Sequence, residues 1–310
     1  MFAANALLVG EASRRIDYSW GFFIALLVNS VVAVVFVAVD ALLSGDTMAW
    51  DPVPLLLFAL AGVFATYLGR MLFYVTVVGM GPSRASAFQI TQPLSASVLA
   101  LVFLGQRLSV AQVSLMLLVL GGLFIVNRSR AAVAPEGQAP EAAQPDRLGT
   151  VDGAVATVQR VKGMAVRQQL LIAALGSGVA YAAANVLRSA AINRLNEPFV
   201  GSLLGALAGL ACYLVFNVRV CEVPARLRAT ERRALVMFMG CGVLSILGQT
   251  ASIASLRYLP VAIANLFAVS IPIVVVPVSV LLLHNREGVT RRTVIGVLVT
   301  WAGVVGMVVV

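Results

Sequence analysis

Ten apolar runs follow one another along the chain, and this succession restricts the fold more than any other feature of the sequence. Nine of the runs are about 17–27 residues long, which is the length of a helix that crosses a membrane with some tilt. Backbone polar groups must pair internally in lipid, so runs of this length form helices. The sequence therefore predicts an all-α fold, a polytopic transmembrane helical bundle. The nine full runs are 20–43, 54–80, 83–104, 110–126, 170–187, 199–218, 234–256, 260–284 and 293–310.

The composition supports a membrane protein and argues against soluble and nucleic-acid-binding classes. Hydrophobic residues make up 60% of the chain and charged residues 11%, whereas soluble domains are about 45–50% apolar and about 25% charged. The formal net charge is +9, and its basic residues lie between apolar runs, where they set topology and meet anionic lipid. We therefore expect membrane lipids as partners and no nucleic acid.

The sequence lacks the motifs of catalysis, metal binding and nucleotide binding. It has three cysteines without a CxxC, a single histidine (His284), no GxxxxGK loop and no GxSxG. A metal site, a disulfide framework and a Ser-His-Asp arrangement are all unexpected on this basis. We expect no enzyme activity, no cofactor, no metal, and no ATP-driven transport by this chain alone.

The two halves of the chain resemble each other at a shift of about 180 residues. Ala4-Asn5 matches Ala184-Asn185, and Pro93 matches Pro272. Each repeat contains five runs, and an odd number makes the second copy enter the membrane from the opposite side. This is the inverted-repeat plan of many secondary transporters, whose substrate site lies at mid-membrane between the repeats.

The repeat predicts the domain organisation. Residues 1–126 form the first repeat, 127–168 a polar flexible connector, and 169–310 the second repeat. The first run, 2–10, is too short to cross a membrane. The first of the ten predicted helices is therefore expected to be truncated at its N-terminus, which favours a true start upstream of Met1. A chain with nine complete spans is the alternative.

Basic residues are distributed unevenly between the two sides of the predicted bundle. One side collects most of them, including those of the connector and of residues 226–233. The positive-inside rule places that side in the cytoplasm and Val310 outside. We expect a multi-pass protein of a bacterial plasma (inner) membrane.

One segment carries a family resemblance. It reads YLGRMLFYVTVVGMGPSRASAF at 67–88, continues with Gln92-Pro93, and ends with FLGQRLS at 103–109. It resembles the EamA-like permeases of the drug/metabolite transporter (DMT) superfamily, which implies a ten-helix carrier over nearly the whole chain. Two features depart from the family pattern. Gln106 stands where the family usually has Glu, and the family usually keeps both termini in the cytoplasm, whereas the charges here place Val310 outside.

Arg70 is the charged residue predicted to lie deepest in the membrane. It is at least eight residues from either end of its run, a depth of about 12 Å or more at 1.5 Å per residue. A charge kept there marks a site by default. Arg70 would then anchor an anionic group such as a carboxylate, with Gln249 as its counterpart in the second repeat. The alternative is a shifted helix in which Arg70 bonds to carbonyls of a neighbouring helix.

A polar stripe is predicted on the run 83–104. Ser86, Gln89, Pro93 and Ser97 follow three- and four-residue steps, so they share one helix face, and Gln92 flanks it. Pro93 frees a carbonyl and favours a helix kink. We interpret this face as part of a substrate cavity, and hydrogen bonding between helices is the alternative.

The second repeat offers a similar set. Pro272 is the predicted kink of the run 260–284, beside Asn265 and Ser270. Asn5 and Asn185 occupy equivalent positions, which favours the interface between repeats for contact with substrate or with each other.

These features favour a secondary transporter that exports small metabolites, amino acids or drugs by alternating access. The partner is then a small-molecule solute, and a monomer is the expected state, with a dimer as the alternative. A lipid-linked sugar or lipid flippase is the rival within transport, and a non-transporting membrane scaffold is the rival from another class. The sequence names neither the substrate, the coupling ion nor the direction.

Overall fold

The computed structural model describes residues 18–44, 51–73, 76, 88–89, 91–133, 166–217, 231–269 and 291–309. Within these residues the chain is helical and contains no strand, so the all-α prediction is confirmed. The helices are α1 (Tyr18–Ser44), α2 (Pro52–Gly62), a π-helical segment (Val63–Gly69), α3 (Thr91–Leu104), α4 (Val110–Val133), α5 (Val166–Ile192), α6 (Pro198–Asn217), α7 (Arg232–Ser255), α8 (Val261–Val269) and α9 (Arg291–Val309).

Five helices in the described part of the chain are long and apolar enough to cross a membrane. Their large side chains include many at exposed positions, such as Val31 and Leu42 on α1, as contact with lipid requires. The ten-helix inverted repeat itself stays a prediction, and the short first run lies outside the described residues. The five candidate spans are Trp20–Leu43, Pro52–Phe73, Gln168–Ile192, Pro198–Phe216 and Arg232–Ser255.

Two helices begin with local hydrogen bonds that the sequence provides. Asp51 caps α2, because its carboxylate accepts the N–H of Val53 at 3.0 Å and Pro52 occupies the first helical position. Ser109 and Gln112 form a capping box at the start of α4, with each side chain accepting the other's backbone N–H at 3.2 and 3.0 Å.

The described residues fall into two compact units. Unit 1 contains 18–44, 51–70, 183–217 and 231–258, and unit 2 contains the remainder, with α5 contributing to both. Each unit therefore combines helices from both predicted repeats. The repeat boundaries at 126 and 169 stay a prediction about the sequence.

Helix α6 is the common neighbour of the other helices in unit 1. It packs against α1, α2, the π segment and α7. Its GxxxG pair makes this possible: a Cβ at Gly209 would overlap the side chain of Thr66, and the backbones of Gly205 and Gly62 are in direct contact. Small residues thus bring α2 and the π segment against α6.

In unit 2, α4 and α9 form the most extensive helix pair, and α3 packs against α8. A Cβ on Gly296 would lie 2.8 Å from the carbonyl oxygen of Gly122, and one on Gly303 would lie 2.6 Å from a methyl carbon of Val119. Glycines on both helices therefore permit close antiparallel packing, while Gly121 has no neighbour within 4 Å of its Cβ position.

Candidate functional site

Buried amide and hydroxyl groups join three helical segments of unit 2. We call Gln89, Gln92, Ser177 and Asn265 the amide cluster. Gln92 Nε2 donates to Asn265 Oδ1 at 2.6 Å, and Gln89 Nε2 donates to Ser177 Oγ at 2.9 Å. Gln92, Ser177 and Asn265 are all buried. The cluster links the start of α3 to α8 and to the first half of α5 by hydrogen bonds between side chains.

Pro93 explains how the two glutamines come to lie at the start of α3. A residue at position 93 would ordinarily donate its N–H to the carbonyl of Gln89, and proline has no N–H to give. That carbonyl instead accepts the N–H of Gln92 at 3.0 Å. Helix α3 is described from Thr91. The kink at Pro93 stays a prediction.

A small residue on α5 admits the start of α3. A Cβ on Gly178 would lie 2.9 Å from the hydroxyl oxygen of Thr91. Ser177, next to it, donates to the carbonyl of Ala174 at 2.8 Å and accepts from Gln89. Ser177 is therefore held in one orientation by its own helix and presents its oxygen to α3.

Asn265 is also oriented by its own helix. Its Nδ2 donates to the carbonyl of Val261 at 2.8 Å, which leaves Oδ1 to accept from Gln92. Gln106 completes the arrangement, because its Oε1 accepts the N–H of Val261 at 3.1 Å. The left-handed φ of +65° at Gly105 turns the chain after α3 so that Gln106 follows the turn.

Replacing Gln106 tests this cap. We expect Gln106→Ala to lower the free energy of unfolding by about 1 kcal/mol, because the first turn of α8 loses an acceptor for its N–H. The measurement is the melting temperature of detergent-purified protein. Gln106→Glu is the matched control, since a carboxylate accepts the same bond, and it should melt close to the parent. Equal melting of Gln106→Ala and the parent would contradict the assigned role.

Arg70 lies in unit 1 beside an aromatic group. Its guanidinium carbon is 5.2 Å from the centroid of the Phe22 ring, within the range of a cation–π interaction. Phe22 in turn meets Tyr213 edge-on, with centroids 5.2 Å apart. Tyr67, one turn before Arg70, stacks on Phe216 at 5.6 Å.

These neighbours show the level of Arg70 relative to two adjacent helices, while its depth in the membrane stays a prediction. Phe22 is in the second turn of α1, and Tyr213 is four residues before the end of α6. Arg70 is therefore level with the ends of two neighbouring spans and not with their middles. The length of its own apolar run could not give this level, because the position of a residue in a run does not fix its level relative to other helices.

Asn185 and Gln249 are both buried in unit 1. Asn185 Oδ1 accepts a hydrogen bond from Arg188 Nη1 at 3.1 Å. The amide nitrogen of Gln249 lies 3.3 Å from the Cβ position of Gly205, eight residues from Tyr213 and so about 12 Å along α6 from the level of Arg70. The repeat correspondence between Arg70 and Gln249 does not bring the two side chains together.

The structure also reveals polar residues that the sequence analysis did not single out. Ser177, Arg188, Asn29 and Thr66 are all buried. Arg188 lies four residues before the end of α5, is 7% exposed, and donates a hydrogen bond to Asn185 three residues earlier. The signal available in the sequence was the presence of two polar residues, Asn185 and Arg188, three positions apart at the end of an apolar run. Of the predicted site residues, Asn5, Ser86, Ser270 and Pro272 lie outside the described residues.

Comparisons with known proteins give one family match. Residues 1–128 match the model of the EamA-like transporter family. A solved structure described only as "Crystal structure of protein" is similar over 99% of this chain and 95% of its own, with a TM-score of 0.65 and 14% sequence identity. At that identity the likeness concerns the fold alone. No curated protein sequence matches the chain.

Proposed function

Residues 1–128 match the EamA-like transporter family of the DMT superfamily, and from that match we propose that the chain is a member that exports small metabolites, amino acids or drugs by alternating access. The family match implies a multi-pass membrane transporter of the DMT type, with a small-molecule solute as its cargo. The export direction, the substrate class and the alternating-access cycle are the proposal.

The amide cluster is the observation that supports the proposal best. Polar side chains inside an apolar helical bundle are rare, and they commonly mark a solute pathway. Gln89 and Gln92 each use Nε2 within the cluster, and an amide also carries an oxygen and a second N–H with which to meet a solute. None of the cluster residues is charged. This chemistry suits a neutral or zwitterionic solute better than a polyanion.

Arg70 supplies the one cationic group that we assign to the pathway. Its charge would bind a carboxylate of the solute, while the Phe22 ring holds the guanidinium in place. Its level near the span ends suits an entry or exit position. Asn185, Gln249 and Asn265 are proposed as further polar contacts with the solute. The same role is proposed for Asn5, Ser86 and Ser270, which lie outside the described residues.

Arg70→Ala is expected to lower transport at least about tenfold, because a lost charge-assisted hydrogen bond is worth about 1.5–3 kcal/mol. The measurement is comparative metabolite profiling of medium and cytosol from cells that express the parent, the variant or neither. A few compounds should accumulate outside only with the parent. Arg70→Lys, which keeps the charge, is the matched control and should retain part of the activity.

Two outcomes would count against these assignments. Unchanged transport by Arg70→Ala, at equal membrane expression, would remove Arg70 from the pathway but leave export intact. Identical profiles for cells with and without the well-expressed parent would contradict export of soluble metabolites altogether. Uptake, lipid flipping or a scaffold role would then take its place.

A further inference from the structure

Several buried polar side chains in unit 1 carry atoms without a hydrogen-bond partner among the residues that the structure describes. Three of them lie near one face of α6: Asn29 (Nδ2 and Oδ1), Thr66 (Oγ1) and Gln249 (Nε2), and we call these three the orphan cluster. Ser189 Oγ, on α5, is a further such atom outside the cluster. The three side chains of the cluster are 1%, 1% and 8% exposed. Buried polar groups in folded proteins are nearly always hydrogen-bonded to protein or to ordered water. Three such groups on three different helices therefore require an explanation.

Two members of the cluster face one turn of α6. The Nε2 of Gln249 lies 3.3 Å from the Cβ position of Gly205, and the Oγ1 of Thr66 lies 3.4 Å from the Cβ position of Gly209. Four residues of helix separate the two glycines, a rise of about 6 Å. Gly205 also touches the backbone of Gly62, one turn before Thr66. Gln249 and the π segment therefore meet at the same face of α6.

Asn29 reaches the same level from α1. Helices α1 and α6 run antiparallel, since Ala33 packs with Ala206 and Phe22 meets Tyr213. Asn29 lies between these two contacts and one turn from Ala33. It is therefore level with the turn of α6 that follows Ala206, where Thr66 also packs.

The chemistry of the orphan atoms selects the ligand. Asn29 offers both a donor and an acceptor, Gln249 a donor, and Thr66 a hydroxyl that serves as either. The acidic residues in the described part of unit 1, Asp40, Asp51, Glu197 and Glu231, lie near or beyond helix ends, so a cation there would have no counter-charge. The direct contact between Gly62 and Gly205 restricts the space to a very small molecule.

We propose that Asn29, Thr66 and Gln249 form an internal water-binding site where α1, the π segment and α7 meet α6. Water satisfies donors and acceptors together, and typically makes about three hydrogen bonds when buried. Thr66 is the central residue of the π segment, and such segments occur frequently at functional sites. The bound water forms a hydrogen bond with the π segment. This water can leave or be replaced without breaking a hydrogen bond between two protein groups. This site does not depend on the export proposal.

The test is X-ray radiolytic labelling in ¹⁸O water, followed by mass spectrometry of the full chain in nanodiscs. A bound water activated beside an aliphatic side chain oxidises it even when bulk solvent cannot reach it. The reporter is Ile246, which is fully buried and packs with Ala33 and Ala206. The matched reference is Leu123, 1% exposed in the apolar core of unit 2. We expect labelling of Ile246 to exceed that of Leu123 by about tenfold if water is bound.

Variants test whether the labelling of Ile246 comes from the proposed water site. Thr66→Val and Asn29→Leu keep side-chain volume and remove the polar atoms, and together they should bring Ile246 labelling down to the level of Leu123. Thr250→Val, which removes a hydroxyl already bonded to Ser202 at 2.8 Å, should leave it unchanged. If the double variant does not fold, the comparison of Ile246 with Leu123 labelling in the parent decides alone.

Equal labelling of Ile246 and Leu123 in the parent would overturn the proposal. So would Ile246 labelling that appears only when choline replaces sodium, since a cation would then occupy the site.

Discussion

Gly62→Leu is expected to prevent the chain from folding. The Cβ of any residue at position 62 would lie within 2.8 Å of the carbonyl carbon of Gly205, and closer still to its Cα and oxygen. These neighbours are backbone atoms of α6, which cannot rotate away as a side chain can. Overpacking of a core costs about 3 kcal/mol at its upper range. Since α6 also contacts α1, the π segment and α7, its displacement would affect all of unit 1.

The measurement is the yield and elution profile of the detergent-solubilised variant, compared with the parent. Gly121→Leu is the matched control, because Gly121 is exposed on α4 and its Cβ position has no neighbour within 4 Å. The control should fold as well as the parent or better, since leucine favours a helix over glycine. A monodisperse Gly62→Leu with normal yield would contradict the close contact between α2 and α6.

Gln92→Leu is expected to reduce transport at least about tenfold, with a loss of about 1–3 kcal/mol in stability. Leucine removes the donor that pairs with Asn265 Oδ1 at 2.6 Å. Asn265 is 1% exposed, so its oxygen would be left buried without that partner. The readouts are export in the profiling assay and the melting temperature of the purified protein.

A double-mutant cycle separates the two effects. Combining Gln92→Leu with Asn265→Leu removes both partners, so part of the lost stability should return, because no polar atom is then stranded. Transport should not return if the amides contact the solute. The exchanged pair, Gln92→Asn with Asn265→Gln, keeps both amides and is the control. Full transport by the double leucine variant would show that the amides serve only helix packing.

The family resemblance and the helical class could be predicted from sequence for simple physical reasons. An apolar run of spanning length forms a helix in lipid, because its backbone polar groups must then bond to one another. The motif at 67–109 carries the likeness to the EamA-like permeases, and the family match over residues 1–128 confirms that resemblance. Pro93 accounts for the hydrogen bond from the Gln92 N–H to the Gln89 carbonyl, because a missing N–H acts locally, within four residues of the chain.

The site could be predicted only in part. Gln92 and Asn265 were both named as cavity residues, yet nothing in the sequence shows that they pair, because 173 positions separate them. Ser177 was overlooked since a serine in an apolar helix usually bonds to its own backbone, and only the approach of Gln89 gives it a second partner. The burial of Arg188 could not be predicted, because it depends on neighbours outside its own segment.

The sequence by itself determined the properties that depend on one segment at a time: helix, span length and caps. The tertiary structure decided the level of Arg70 relative to α1 and α6, and the hydrogen-bond pairs of the amide cluster. It also decided that Asn29, Thr66 and Gln249 are buried with atoms that lack a hydrogen-bond partner among the described residues. These features depend on the axial position of each helix relative to its neighbours. Close backbone contacts at small residues such as Gly62, Gly205 and Gly209 set that position. A shift of one residue changes a side chain's level by about 1.5 Å, and such shifts leave no trace in the pattern of a single run.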